Sequence, residues 1–242
     1  MHDDHHCLSR RLFLVRGLAL AGALALPGAA LGREPAQGIL EVQGDARLNG
    51  RPAEPGMAVG RGDVLTTAEG ARVAFLVGQD AFWLREQGEA VVEDVAREEA
   101  GLAVKALRLV TGAILGAFGP GEKTIHTSAV TAGIRGTAMY TQVLSDRTYL
   151  CLCYGTAELT TASSRFPPQR ETMRTTNHGG RWLLHEPESR MLIVPAPFIL
   201  HRSDEVVALD NAAGRQSPLE GVPEPPRGRA PGESGGPGQD LS

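Results

Sequence analysis

The chain is predicted to be all-β: a short-strand sandwich, barrel or stacked β architecture, with a short C-terminal helix and a disordered tail. Three observations carry that expectation. Short apolar runs recur along the chain with a period of two rather than 3.6. Glycine and proline punctuate them, at 30 and 16 of 242 residues, which marks many tight turns between short elements. Aromatic residues make up only 5%, so the core is to be built largely from aliphatic strands. A net charge of -4 without a basic stripe argues against a nucleic-acid partner.

The first 32 residues read as an export signal peptide. Ser9-Arg10-Arg11-Leu12-Phe13-Leu14 is a basic head of twin-arginine type, and a Gly/Ala/Leu run follows it. That run is about 15 residues, short of the roughly 20 a spanning helix needs, and Pro27-Gly28 breaks it. This disfavours a retained membrane anchor, and no stable membrane span is expected after processing. Ala30-Leu31-Gly32 supplies a small-x-small cleavage site, which places the mature start near Arg33. Cys7 and the His2/His5/His6 tract would leave with it. The expected location is therefore periplasmic or secreted, reached by a route that carries folded proteins.

Strands are then expected in order from Gly38. Gly38–Gln43 alternates, and Ala46–Pro52 contains Asn49-Gly50, the pair that supplies the positive φ values of a tight hairpin. Val64–Thr67 and Ala71–Val77 follow, turned at Glu69-Gly70, and then Ala81–Arg85 and Glu89–Glu93. Asp94–Val110 has helix-forming composition, yet Gly101 interrupts it and its leucines fit a period of two. It reads as a turn over Ala96–Gly101 and a strand. Val110–Phe118 is a further strand in which Gly112 and Gly116 mark bends or close backbone approach.

After Thr161 the pattern changes, and residues 162–214 read as a C-terminal extension. Ser163–Thr176 is polar and is expected to be a loop. Arg181–His185 and Arg190–Val194 make a last hairpin turned at Glu186–Ser189. Ser203-Asp204-Glu205 opens a helix that Gly214 closes. From Arg215 to Ser242 little is apolar, so disorder is expected.

Two motifs resemble a known family. Gly62-Asp63-Val64-Leu65-Thr66-Thr67 and, later, Thr127-Ser128-Ala129-Val130-Thr131-Ala132-Gly133-Ile134-Arg135-Gly136-Thr137 are similar to the two signature elements of the FecR domain, a periplasmic β-rich module. Tyr149–Gly155 with Ala157 and Leu159 is similar to its closing element. The resemblance spans 38–161 and implies a non-catalytic domain for sensing, ligand contact or protein interaction at the cell envelope. The family's transmembrane sigma-factor regulators are laid out differently, with no export signal ahead of the domain. The implied partner is an envelope protein, a glycan or a small ligand. Within the later motif, Gly133 and Gly136 can take backbone conformations closed to other residues. Arg135 can meet a carboxylate or carbonyls, and Thr137 can cap a turn, so these four residues are expected to hold the fold.

Chemistry concentrates instead at Cys151-Leu152-Cys153. Residues two apart on a strand share a face, so two thiolates could ligate one ion. His126, His178, His185 and His201 are the remaining candidates, and Cys151, Cys153, His178, His185 and His201 form the candidate metal set, for zinc, iron or copper. Asn177-His178-Gly179-Gly180 would let backbone pass close to a bound group. Two alternatives stand beside this: thiols packed as small hydrophobes, or a redox pair, whose Cα separation of about 6.6 Å is at the edge of disulfide geometry. No catalytic signature is present. His185-Glu186 opens like a zinc-protease helix, but Ser189 stands where the second histidine belongs. A non-catalytic binding module is expected, with a metal-binding, redox-capable protein as the alternative.

Overall fold

The computed structural model describes residues 37–98, 101–186 and 190–228. The expected signal peptide, the tail beyond 228, residues 99–100 of the turn expected over Ala96–Gly101 and residues 187–189 of the turn expected over Glu186–Ser189 lie outside the described residues. Fourteen strands are joined in one sheet, with a single helix among the described residues. In chain order the strands are β1 Gly38–Gln43, β2 Ala46–Leu48, β3 Arg51–Pro52, β4 Val64–Thr67, β5 Arg72–Val77, β6 Asp80–Leu84 and β7 Glu89–Glu98. They continue as β8 Gly101–Ala117, β9 Glu122–His126, β10 Val130–Val143, β11 Arg147–Thr161, β12 Arg170–Thr175, β13 Gly179–Leu184 and β14 Ile193–Ala196. Helix α1 is Ser203–Ala212.

The local chemistry explains most of these elements. Asn49 and Gly50 take φ of 52° and 76° between β2 and β3, as the hairpin turn requires. The Asn49 side chain then accepts from Val64 N and donates to Asp63, and Asp63 accepts from Gly60 N. The Gly-Asp element thus locks the entry to β4. Gly112 bends β8 at φ 71°, and a Cβ there would lie 2.5 Å from Gly88 Cα.

Alternation along the strands divides the apolar residues into two cores. Leu150, Leu152, Met139, Ile114, Phe75 and Phe82 belong to the larger. Their neighbours Tyr149, Cys151, Tyr140, Leu115 and Leu76 point to the opposite face. That second face is covered by the chain after β14: Phe198, Ile199, Val206, Leu209, Ala213 and Leu219 all pack there.

Several expectations are corrected. The polar stretch 163–176 is not wholly a loop, because β12 pairs with β11 from Gly155↔Thr175 to Thr160↔Arg170. The expected strand break near Val110 is absent, and β8 runs unbroken for 17 residues. Beyond position 161 the chain stays on the same sheet: β13 pairs with the first half of β11, and the described residues fall within one compact unit. The disorder expected from Arg215 does not hold over 215–228. Leu219 and Ser217 are buried, and a segment poor in apolar residues is held instead by hydrogen bonds. Asn177 Nδ2 donates to Pro223 O at 3.0 Å, and Gly228 N to Phe198 O at 3.0 Å. The N-cap position of α1 is Arg202 rather than Ser203, and its backbone N donates to Glu205 Oε2 at 2.8 Å.

No helix among the described residues is long and apolar enough to cross a membrane.

Candidate metal centre

Cys151 and Cys153 lie at the middle of β11, on the face covered by the C-terminal segment, and both are fully buried. Cys151 stands between Tyr140 on β10 and Gly180 on β13. Cys153 sits where the register slips: Ala138 pairs with Tyr154, but the next residue, Met139, pairs with Leu152. Cys153 is therefore the extra residue of a β-bulge, a device that re-aims a side chain and frees backbone groups. Its carbonyl accepts from His178 N at 2.9 Å, which ties the β12–β13 turn to the cysteine strand.

Two histidines reach this point from different directions. His178, in the β12–β13 turn, places Nδ1 3.7 Å from Cys151 Sγ. His201, just ahead of α1, places Nε2 3.4 Å from Cys153 Sγ. All four ligand atoms lie within 4.8 Å of one another. In a tetrahedral site with zinc–sulfur and zinc–nitrogen bonds of about 2.3 and 2.05 Å, a sulfur and a nitrogen stand about 3.6 Å apart. The two observed separations bracket that value.

Backbone strain accompanies the convergence. His178 has φ 49° and Leu200, immediately before His201, has φ 72°. Positive φ is costly for residues other than glycine, and such strain collects at functional sites. Gly180 makes room for the covering segment, because a Cβ there would lie 2.6 Å from Ala196 O and 2.9 Å from Pro197 O.

The outer hydrogen bonds orient both rings. His201 Nδ1 is 3.0 Å from Ile199 O, a carbonyl that can only accept. Nδ1 therefore carries the proton and Nε2 presents its lone pair to Cys153. His178 Nε2 is 2.9 Å from Ser203 Oγ, which leaves Nδ1 to face Cys151. A ligand imidazole whose second nitrogen is held by a protein group is the usual arrangement of metal-bound histidine. Tyr140 stacks flat on His201 at 4.7 Å and Phe198 lies 4.1 Å from His178, so aromatic rings wall the site.

The thiols are coupled. Burial resists ionisation of Cys151, but its contacts with Cys153, His178 and His201 outweigh it and hold that thiol well below its ordinary range. Burial, and then the neighbouring Cys151, push Cys153 well above it. Ionising one thiol therefore opposes ionising the other. Both cysteines are free, with no disulfide between them.

The remaining expected ligands are elsewhere. His185 follows β13 at the end where Leu184 pairs with Arg147, roughly 16 Å along the strand from Gly180 at 3.3 Å per residue. Its Nε2 meets Thr148 Oγ1 at 3.0 Å, so it is not part of the group. His126 faces Thr131 and Glu93. The residues of the later motif serve the backbone. Gly136 has φ 53° at the neighbouring slip of the β10–β11 ladder, between Arg135 and Ala138. Thr137 is buried and donates to Tyr154 O, and Arg135 is exposed and pairs with Glu122. Gly180 belongs to the Gly-Gly pair that the sequence marks for close backbone approach. Ser203 reads in the sequence only as the opening of a helix, and nothing local signals the role of Glu224.

No family model matches the chain, and no curated protein matches it. Among solved structures it is similar to two crystal structures of a candidate anti-sigma factor from Parabacteroides distasonis. One aligns with TM-score 0.44 and 6% identity, the other with 0.43 and 7%, each covering 55% of this chain. The chain spans 58% of the length of those proteins.

Proposed function

We propose that this chain is an exported, periplasmic, non-catalytic β protein that holds one divalent metal ion, with Cys151, Cys153, His178 and His201 as ligands. The observation that carries the reading is the convergence of these four donors inside the fold. Charge supports a divalent ion. Two thiolates and two neutral imidazoles around M²⁺ sum to zero, and a net charge enclosed among aromatic rings would cost several kcal/mol. An S₂N₂ donor set suits zinc foremost.

Four protein ligands leave no position for water or substrate, the mark of a holding site rather than a catalytic one. The ion would then join three separate stretches of chain: the cysteine strand, the β12–β13 turn and the covering segment. A binding or sensing role at the envelope, toward a protein, glycan or small ligand, rests on the motif resemblance together with the signal-like N-terminus.

The test is elemental analysis of purified protein, repeated after loading with Zn²⁺ or Co²⁺. One metal per chain is expected in the wild type, with Co²⁺ showing the absorption of a tetrahedral thiolate site, and none in Cys151→Ser/Cys153→Ser. A folded wild-type chain that takes up neither ion overturns the proposal.

A further inference from the structure

The segment 223–227 joins the two histidine ligands through a chain of hydrogen bonds. His178 Nε2 meets Ser203 Oγ at 2.9 Å. Ser203 N donates to Glu224 Oε1 at 2.7 Å. Glu224 Oε2 accepts from Arg227 Nη2 at 3.3 Å, and the same Nη2 donates to His201 O at 3.1 Å. The path thus runs from one ligand to the other outside the site, through groups the metal would not touch. The segment is fastened at both ends. Asn177, the residue before His178, donates to Pro223 O at 3.0 Å. Arg227 lies over the Phe198 ring at 5.5 Å and pairs with Phe198 as an isolated parallel bridge.

We infer that this strap is the outer shell of the metal centre, with Ser203 and Glu224 as positioning residues that set how tightly the ion is held. The inference rests on the metal reading and goes beyond it, because it assigns metal affinity to residues that ligate nothing. The physical case has two parts. Ser203 is the group in contact with the outward nitrogen of His178, and His178 is the less buried of the two histidines. Without that hydroxyl the ring can turn or exchange tautomers, and Nδ1 is no longer fixed on Cys151. Glu224 in turn fixes Ser203, because its carboxylate takes the first orphan N–H of α1, at the positive end of the helix. It also holds Arg227 against the His201 carbonyl. Loss of one carboxylate therefore loosens both ligands together. Outer-shell partners of this kind are commonly worth 10–100-fold in metal affinity.

The experiment measures Zn²⁺ affinity by chelator competition, and the rate of chelator-driven release, in the full chain. The variants are Ser203→Ala, Ser203→Thr, Glu224→Ala and, as a control, Asp204→Asn. Asp204→Asn removes the same charge from the same helix start, but Asp204 is exposed and its side-chain partner is Arg202. Ser203→Ala and Glu224→Ala are expected to weaken binding about 10–100-fold and to speed release. Stoichiometry should stay at one ion, and the circular dichroism of the sheet should not change. Ser203→Thr should recover most of the affinity, and Asp204→Asn should stay near wild type. Affinities of Ser203→Ala and Glu224→Ala within about threefold of the wild type, or an equal loss in Asp204→Asn, would overturn the inference while leaving the metal reading intact. A wild-type chain that binds no Zn²⁺ would overturn both.

Discussion

Cys153 Sγ lies 3.4 Å from His201 Nε2 across 48 residues of sequence, and this contact joins the sheet to the segment that covers it. The covering segment does not depend on it. Phe198, Ile199, Val206, Leu209 and Leu219 are buried against the sheet, which contributes on the order of 10 kcal/mol at 1.5–3 kcal/mol per side chain, an upper estimate. Asp210, buried in α1, accepts from Tyr154 Oη at 2.9 Å, and Arg85 pairs with Glu205 at 2.7 Å. Chelation is therefore expected to lower the unfolding midpoint without unfolding the protein, unlike a small zinc finger. Far-ultraviolet circular dichroism of stripped and loaded protein checks this. Loss of the β signal on chelation would contradict it.

The histidines are expected to separate cleanly. His178→Ala or His201→Ala removes a ligand and should weaken Zn²⁺ binding by about 100-fold or more, at the upper end of what ligand and outer-shell changes do. His185→Ala, bonded to Thr148 rather than to the cysteines, should leave affinity within a few-fold. Chelator competition across the three variants distinguishes them.

The later motif is expected to act on stability alone. Thr137→Val leaves the buried Tyr154 carbonyl without its hydroxyl donor, at a cost of about 1–3 kcal/mol. Arg135→Ala loses an exposed ion pair with Glu122, worth at most about 1 kcal/mol. Neither should change metal stoichiometry. Urea unfolding beside a metal assay reads both.

What could be read from the sequence follows the range of the interactions involved. The turn at Asn49-Gly50 and the shared face of Cys151 and Cys153 are short-range consequences of residue type and a period of two. Strand β12 was hidden because Arg170–Thr175 buries only Met173, leaving a single apolar signal. The length of β7 was obscured by slips between Val92, Asp94 and Val95, which break the alternation. The meeting of His178 with His201 depends on the chain's return across the sheet, and no local pattern encodes it. The strap at 223–227 is held by backbone and charged groups, which composition counts as disorder-promoting.

A buried ion pair gives a prediction away from the metal. Asp80 and Lys123 are both buried, 3.5 Å apart. The carboxylate also accepts from Val104 N at 2.7 Å and Gly119 N at 2.8 Å. Asp80→Ala strands the Lys123 ammonium and two backbone donors, and should cost about 3–5 kcal/mol. Asp80→Asn/Lys123→Met keeps an acceptor and removes the charge, so it should recover a large part of that loss. Equal destabilisation of the single and double variants would show that charge burial is not the governing cost.

The tyrosines around the centre are expected to lower stability at alkaline pH. Burial raises Tyr140 from 10.0 to about 12, against the lowering effect of Arg85. Burial likewise raises Tyr149, helped by the neighbouring Cys151, and Tyr154, helped by Asp210. Each is an acid whose folded pKa lies above its unfolded value, so the folded state binds more protons within the window. The associated stability is fully present below pH 10 and is lost as pH rises through the folded values. For Tyr140 alone the loss is about 2–3 kcal/mol by pH 12. Urea midpoints measured upward from pH 9 should therefore take no slope from these tyrosines until about pH 10 and fall beyond it. The fall should shrink in Tyr140→Phe, which keeps the ring stacked on His201 and loses only the hydroxyl. An unchanged fall in that variant would remove Tyr140 as a contributor.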